Sequence, residues 1–329
     1  MNFKHIMLFF LLQLAICSCS KGDSQNVYAD KRDNIEKAEF VAIDDSSLIV
    51  NRSAELLIIG DTLLVRENRS TDYILMVVDL NTQKLIGKFG KVGNGPGELA
   101  NCGGMFFNPR DSMVCVLNYS KWQIDGFPIR EALANPDYLG QRLLRFTADS
   151  GSNTMQHPFM VDDSTIVCMK YAFNTATRKF TPIIGEFNIV SGEGKTLEKN
   201  ADERSTGRSM VFVPESGFIY IADRHNDRIQ KFDRDGNLLL TVYGSDYDDS
   251  FDNRNDAFGS ITFGDGKLFA TYRNPNDKQA GIIHVFDADC KYLKTLRLDK
   301  RVIFIAFHKP TKRLYLNVDA EPQFGYIQL

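Results

Sequence analysis

The chain has 329 residues and a formal net charge of −3, with 39 lysines and arginines against 42 aspartates and glutamates. That balance provides no electrostatic footprint for nucleic acid, and a short cluster such as Lys309-Pro310-Thr311-Lys312-Arg313 reads as a solvated turn. The length is enough to bury a large core and would allow one or two domains.

At the N-terminus, Lys4 precedes an 11-residue stretch, Ile6 to Ile16, that is apolar except for Gln13 and is followed by the small and thiol residues of "AICSCSKGDS". A membrane-spanning helix needs roughly 20 apolar residues, so this pattern reads as a secretory signal removed from the mature chain. The segment also resembles a bacterial lipoprotein signal, in which a small residue precedes a cysteine that is lipidated and becomes the new N-terminus. Ser18 before Cys19 fits that form better than the bulky Ile16 before Cys17. The resemblance implies a signal over 1–18, lipidation at Cys19 and attachment to the cell envelope at the outer membrane; a plain secretory signal is the alternative. Residues 19–37 are polar and aperiodic and read as a flexible tether.

From residue 38 to 329 one pattern recurs six times: an apolar run, a tight polar turn, a second apolar run, then usually a further hairpin. With Asp61, Asp111, Asp163, Ser216, Asp265 and Thr311 marking the first turns, the spacings are 50, 52, 53, 49 and 46 residues. A period near 50 built from four short strands is a propeller blade. In the clearest unit "MVFVP", "FIYIAD", "RIQKFD" and "LLLTVYG" are strands A to D, with Arg234-Asp235-Gly236-Asn237 turning C into D. Helical periodicity is almost absent, which argues against parallel α/β folds.

The last repeat stops at "FGYIQL", enough for strand C and no D. An open sheet edge templates aggregation, and "AEFVAID", residues 38–44, is the spare strand. The expected fold is therefore all-β: a six-bladed propeller of four-stranded antiparallel blades, closed by the N-terminal strand joining the last blade.

Two stretches carry more specific residues. In "IYIADRHNDRIQKFDRDGN", Asp223, Asn226, Arg228 and Ile229 resemble the repeat of NHL-class propellers, where an Asp ending strand B and an Asn-x-Arg-Ile turn organise the blade. His225 within this cluster is a candidate site residue, although a structural B–C turn accounts for the whole cluster. In "GKFGKVGNGPGEL", Gly93, Gly95, Pro96, Gly97 and Glu98 resemble a loop of TolB-like six-bladed propeller lipoproteins from Bacteroidetes, a family of undefined biochemical role. This loop lacks the Gly-Lys-Ser/Thr of a P-loop and leads into a strand, so it reads as a D–A connection needing glycine.

Catalytic signals are weak. No Gly-x-Ser-x-Gly elbow occurs, and His157, His225, His284 and His308 form no close pair of zinc-site spacing. The ring topology could still bring His157 and His225 to one rim. Cys102 and Cys115 are the nearest candidates for a disulfide, while buried free thiols, also for Cys168 and Cys290, are the other reading. The acidic run 246–256 offers Asp246, Asp248, Asp249 and Asp252 as hard ligands for calcium, or else forms a solvated loop. The A strands look mostly apolar, which disfavours a metal-dependent lactonase or lyase at the channel mouth.

Binding is expected on the face shared by the B–C and D–A loops. Residues 118–141 read as the longest B–C loop and carry Tyr119, Trp122, Phe127 and Tyr138, aromatics of the kind enriched at binding surfaces; the alternative is that "REALANP" forms a short helix whose aromatics pin it to the ring. A monomeric, envelope-anchored, non-enzymatic propeller holding a protein or glycan through this face is the reading that results, with no cofactor required and calcium as the one candidate.

Overall fold

The computed structural model describes residues 25–27, 32–50, 54–145, 155–174, 178–198, 207–244, 257–273 and 280–329. Cys19, the signal and the acidic run 246–256 lie outside these residues.

Three short strands come first: β1 (Gln25–Val27), β2 (Ile35–Lys37) and β3 (Val41–Ala42). Blade 1 is β4 (Glu55–Ile59), β5 (Thr62–Arg66), β6 (Tyr73–Asp79) and β7 (Lys84–Lys91). Blade 2 is β8 (Cys102–Asn108), β9 (Met113–Asn118), β10 (Gln123–Pro128), the helix α1 (Ile129–Ala134) and β11 (Gln141–Arg145). Blade 3 holds β12 (Met155–Met160), β13 (Thr165–Asn174), β14 (Lys179–Asn188) and β15 (Gly194–Thr196). Blade 4 follows as β16 (Arg208–Val213), β17 (Phe218–Asp223), β18 (Arg228–Phe232) and β19 (Leu238–Tyr243). Blade 5 is β20 (Ala257–Gly264), β21 (Lys267–Arg273), β22 (Gly281–Asp287) and β23 (Tyr292–Leu298), and blade 6 is β24 (Val302–His308), β25 (Arg313–Val318) and β26 (Phe324–Gln328). Each blade is an antiparallel meander in its own sheet. The chain is a six-bladed β-propeller.

The repeat forms blades because both faces of every sheet are apolar. In blade 4 the side chains alternate with period two. Met210 and Phe212 join the cluster shared with Val167 and Met169 of blade 3. Val211 and Val213 join the one shared with Phe258 and Leu268 of blade 5. Six such clusters among the described residues, one per blade junction, make a ring of cores. Each fully buried aliphatic side chain contributes about 1.5–3 kcal/mol. All six marker turns connect strands A and B, and a left-handed backbone serves several, as at Gly217 with φ +70°.

Blade 6 is completed from the other end of the chain. Val41 and Ala42 of β3 pair antiparallel with Tyr326 and Gly325 of β26, and Ile43 N donates to Phe324 O at 2.9 Å. Gln323 then clasps the backbone N and O of Val50, at 2.8 and 2.9 Å, holding the run from β3 into blade 1.

The segment expected to be a tether is in part built into the ring. β1 pairs parallel with β19 and β2 parallel with β23, so each adds a fifth strand to the outer edge of blade 4 or blade 5. Polar composition hid this, because an outer edge strand satisfies its backbone hydrogen bonds while its side chains stay in water: Ile35, Glu36 and Lys37 are all exposed.

Residues 118–141 also differ from expectation. Gln123–Pro128 is strand C, so the B–C turn is only 119–122 and the long connection, containing α1, lies between strands C and D. The glycine-bearing segment 93–98 is the expected D–A connection. Gly95 N donates to Glu98 Oε2 at 2.7 Å, and Lys121 Nζ caps Glu98 O at 2.6 Å. At Gly97, φ is +72° and a Cβ would come within 2.6 Å of Leu139. The loop closes on its own glutamate.

Candidate functional site

The six A strands begin around a central cavity of about 830 Å³. Its lining includes Glu55 from blade 1, Gly103 and Gly104 from blade 2, Gln156 and His157 from blade 3, Arg208 and Ser209 from blade 4, Ser260 from blade 5 and Phe304 from blade 6. The apolar interiors of these strands made the channel look featureless from the sequence. In blades 1, 3 and 4 the polar residues Glu55, Gln156 and Arg208 stand at or next to the strand start, before the apolar run, whereas blade 2 offers glycines and blade 6 Phe304.

Glu55 is held by Arg66 from the neighbouring strand, whose Nε lies 2.8 Å from Glu55 Oε2 and whose Nη1 also donates to Cys102 O at 2.9 Å. His157 reaches the same carboxylate from blade 3, with Nδ1 3.8 Å from Glu55 Oε1. Its backbone is left-handed, φ +48°, an uncommon conformation for a non-glycine residue. Burial holds its imidazole below the ordinary value; Glu55 opposes this and Arg66 adds to it. Arg208 is fully buried beneath the floor and bonded to Glu198 and Asp223. Arg224, Arg273 and Arg301 complete the cationic part of the wall, with Arg301 3.3 Å from Asp319.

The expected site residues divide. Tyr119 and His157 line the cavity, and Tyr119 is turned inward so that its hydroxyl donates to Met155 O. His225 is exposed in the B–C turn of blade 4, beside the cavity-lining Arg224. Trp122 lies half-buried in the B–C turn of blade 2, against the cluster between blades 2 and 3. Phe127 is excluded from any surface role: it is completely buried on strand C, 5.4 Å from the Phe89 ring. Tyr138 is in the C–D connection, packed on the cluster between blades 1 and 2. These aromatics pin the polypeptide to the ring, because strand C claims the residues that sequence reasoning assigned to a loop.

The charge cluster at Asp223 is a turn scaffold. Its fully buried carboxylate accepts from Asn226 Nδ2 at 2.8 Å and from Arg228 Nη2 at 3.1 Å. The four body cysteines are free and buried. A Cys102–Cys115 bridge is ruled out by register: Cys102 stands opposite Asn118 and Cys115 opposite Phe106, on opposite faces of blade 2.

The one carboxylate of the mouth, Glu55, already holds a guanidinium, and no group of three His, Cys, Asp or Glu among the described residues converges on a point.

Aromatic residues that the sequence reading missed lie on blade 3 beyond the cavity-lining Tyr171. β13 and β14 are each ten residues long. β12 pairs with β13 no further than Lys170 and β15 with β14 only at Gly185 to Phe187, so the far ends form a two-stranded ribbon. On it Phe173 pairs with Phe180, ring centroids 4.9 Å apart, with 48% and 50% of their surfaces exposed.

No protein-family model and no curated protein matches the chain. Solved structures of similar fold are numerous. A member of the DUF4221 family from Bacteroides vulgatus superposes with a TM-score of 0.60 at 10% identity, over 84% of this chain and 91% of that one. A protein from Bacteroides fragilis named as exported gives 0.54 at 11% identity, over 89% and 87%. A calcium-binding protein, regucalcin, from Agrobacterium tumefaciens gives 0.53 at 12%, over 86% and 87%. At such identities the likeness is one of fold.

Proposed function

We propose that the protein is an exported, non-enzymatic binding propeller that takes a protein or glycan partner at the B–C/D–A face, with the channel mouth as the site. The observation that carries this reading is the cavity of about 830 Å³ into which every blade directs residues. Its size is in the range of small-ligand pockets, about 300–1,000 Å³. Its lining is rich in amides, hydroxyls and guanidiniums, groups that hold a ligand by hydrogen bonds. Among the described residues the lining holds one carboxylate, Glu55, engaged by Arg66, which supports hydrogen-bonded ligand binding over the metal-dependent lactonase reading. Attachment through a lipid on Cys19, and action as a monomer at the outer membrane, belong to the same proposal and rest on the N-terminal pattern.

The test fills the mouth. Ser209→Trp places a large ring in the cavity from a half-buried strand start, and wild type and variant are compared on a glycan array and a peptide array. Signals present in wild type and lost in the folded variant support the reading; identical array profiles overturn it.

A further inference from the structure

Resting on the mouth being a binding site, we infer that its ligand is an acidic oligosaccharide, with anionic groups held by Arg224 and Arg273 and a sugar face laid on the Phe173–Phe180 pair.

Charge comes first. Five arginines and one glutamate line the cavity. Arg66 is matched by Glu55, Arg208 by Glu198 and Asp223, and Arg301 by Asp319. Among the described residues no carboxylate stands within ion-pair distance of Arg224 or Arg273, which come from the ends of strand B in blades 4 and 5. Guanidinium groups bind carboxylate and sulfate oxygens in forked pairs, a geometry that an ammonium cannot match.

The ribbon provides the second half. Tyr171 lines the cavity, its hydroxyl donating to Gln156 Oε1 at 3.2 Å. Phe173 is two residues further along the same strand, hence on the same face and about 7 Å beyond. Its cross-strand partner Phe180 shares that face. The other exposed large apolar residues among those described are aliphatic and scattered. An exposed aromatic pair at the lip of a polar cavity is unfavourable in water unless something covers it, and the apolar C–H face of a pyranose does so while its hydroxyls remain hydrated.

The rest of the lining selects sugar over peptide. Asn68, Asn101, Gln156, Ser209, Ser260 and Thr271 provide neutral hydrogen-bonding groups around the cavity, interspersed with the apolar surfaces of Phe258, Tyr272 and Phe304. Such a ring fits a polyhydroxyl chain with anionic substituents.

The probes are a galacturonic acid tetrasaccharide, its methyl ester, a sulfated tetrasaccharide and a neutral glucose tetrasaccharide, each titrated calorimetrically into the mature chain. At least one anionic probe is expected to bind, with the methyl ester and neutral sugar at least tenfold weaker; which anion binds distinguishes carboxylate from sulfate. Phe173→Ser with Phe180→Ser, both on the exposed ribbon, should weaken binding about tenfold. Arg224→Ser with Arg273→Ser should weaken it similarly and flatten its salt dependence. A neutral sugar or methyl ester that binds as tightly as the best anionic probe, wild-type binding by either double variant, or no anionic binding at millimolar concentration overturns the inference. If a neutral glycan or a peptide binds instead and Ser209→Trp abolishes that binding, the inference fails while the mouth stands as a site. If no probe of any class binds there, both fail.

Discussion

The buried guanidinium of Arg208, the first residue of blade 4, lies 2.9 Å from the carboxylate of Glu198, at the exit of blade 3. Arg208 Nη1 also donates to Pro182 O at 3.0 Å, and its Nε is 3.7 Å from Asp223. One side chain therefore ties two blades and the B–C turn together at the floor of the cavity. Breaking a buried pair from one side leaves an uncompensated charge and costs about 3–5 kcal/mol. Arg208→Met is expected to lower the urea midpoint accordingly, and adding Glu198→Gln should recover part of the loss. A single variant as stable as wild type would show that the charge chain is not structural.

His284 predicts the acid response. Its ring is buried among Phe258, Tyr272, Phe286 and Tyr292, with Nδ1 2.9 Å from Thr295 Oγ1. Burial, with the Arg32 guanidinium second, holds it down to about 3. The folded state then binds fewer protons than the unfolded state below the unfolded value of about 6.5. This contribution is complete above that pH and declines on acidification, by up to about 1.4 kcal/mol per pH unit. His157 titrates in the same sense. Melting temperature should fall between pH 6.5 and 4, and His284→Phe should flatten the decline; an unchanged slope in the variant would refute the assignment.

Ring closure sets a third expectation. β3 covers the edge of β26, which would otherwise present unpaired backbone groups. Removing residues 20–44 behind a new start should lower the melting temperature and produce concentration-dependent association by light scattering. A monomeric, fully stable truncation would mean that the closure is dispensable.

The thiols offer a direct check on the cores. Cys102, Cys115, Cys168 and Cys290 are free, and burial raises each to about 12. A maleimide reagent at pH 7.5 should leave all four unlabelled in native protein and label all four in urea, read by peptide mass. Rapid native labelling at any of them would place that junction in water.

For the anchor, Cys19→Ala should move the protein from the membrane fraction to the soluble one, and wild type should carry a diacylglyceryl mass on its N-terminal residue. Wild-type protein that is wholly soluble would remove the anchor from the proposal.

The amino-acid sequence by itself determined the ring. Blade number, strand order in blade 4 and closure by the strand after residue 38 all followed from local pattern, because a blade is a meander whose turns and alternating apolar runs are written in consecutive residues. Asp223 as a turn organiser was legible for the same reason. The site was not. Glu55 and Arg66 face each other across one hairpin, but His157 lies about a hundred residues further on and meets them only because the strand starts of different blades converge on one axis, which no local spacing encodes. Trp122 and Phe127 looked like binding aromatics until register put one in a short turn and the other inside a strand. Phe173 and Phe180 carried no sequence signal, and are exposed as a pair only because β13 and β14 outrun their neighbours. Local order is set by near-neighbour sterics and hydrogen bonds, whereas exposure and convergence are properties of the closed ring.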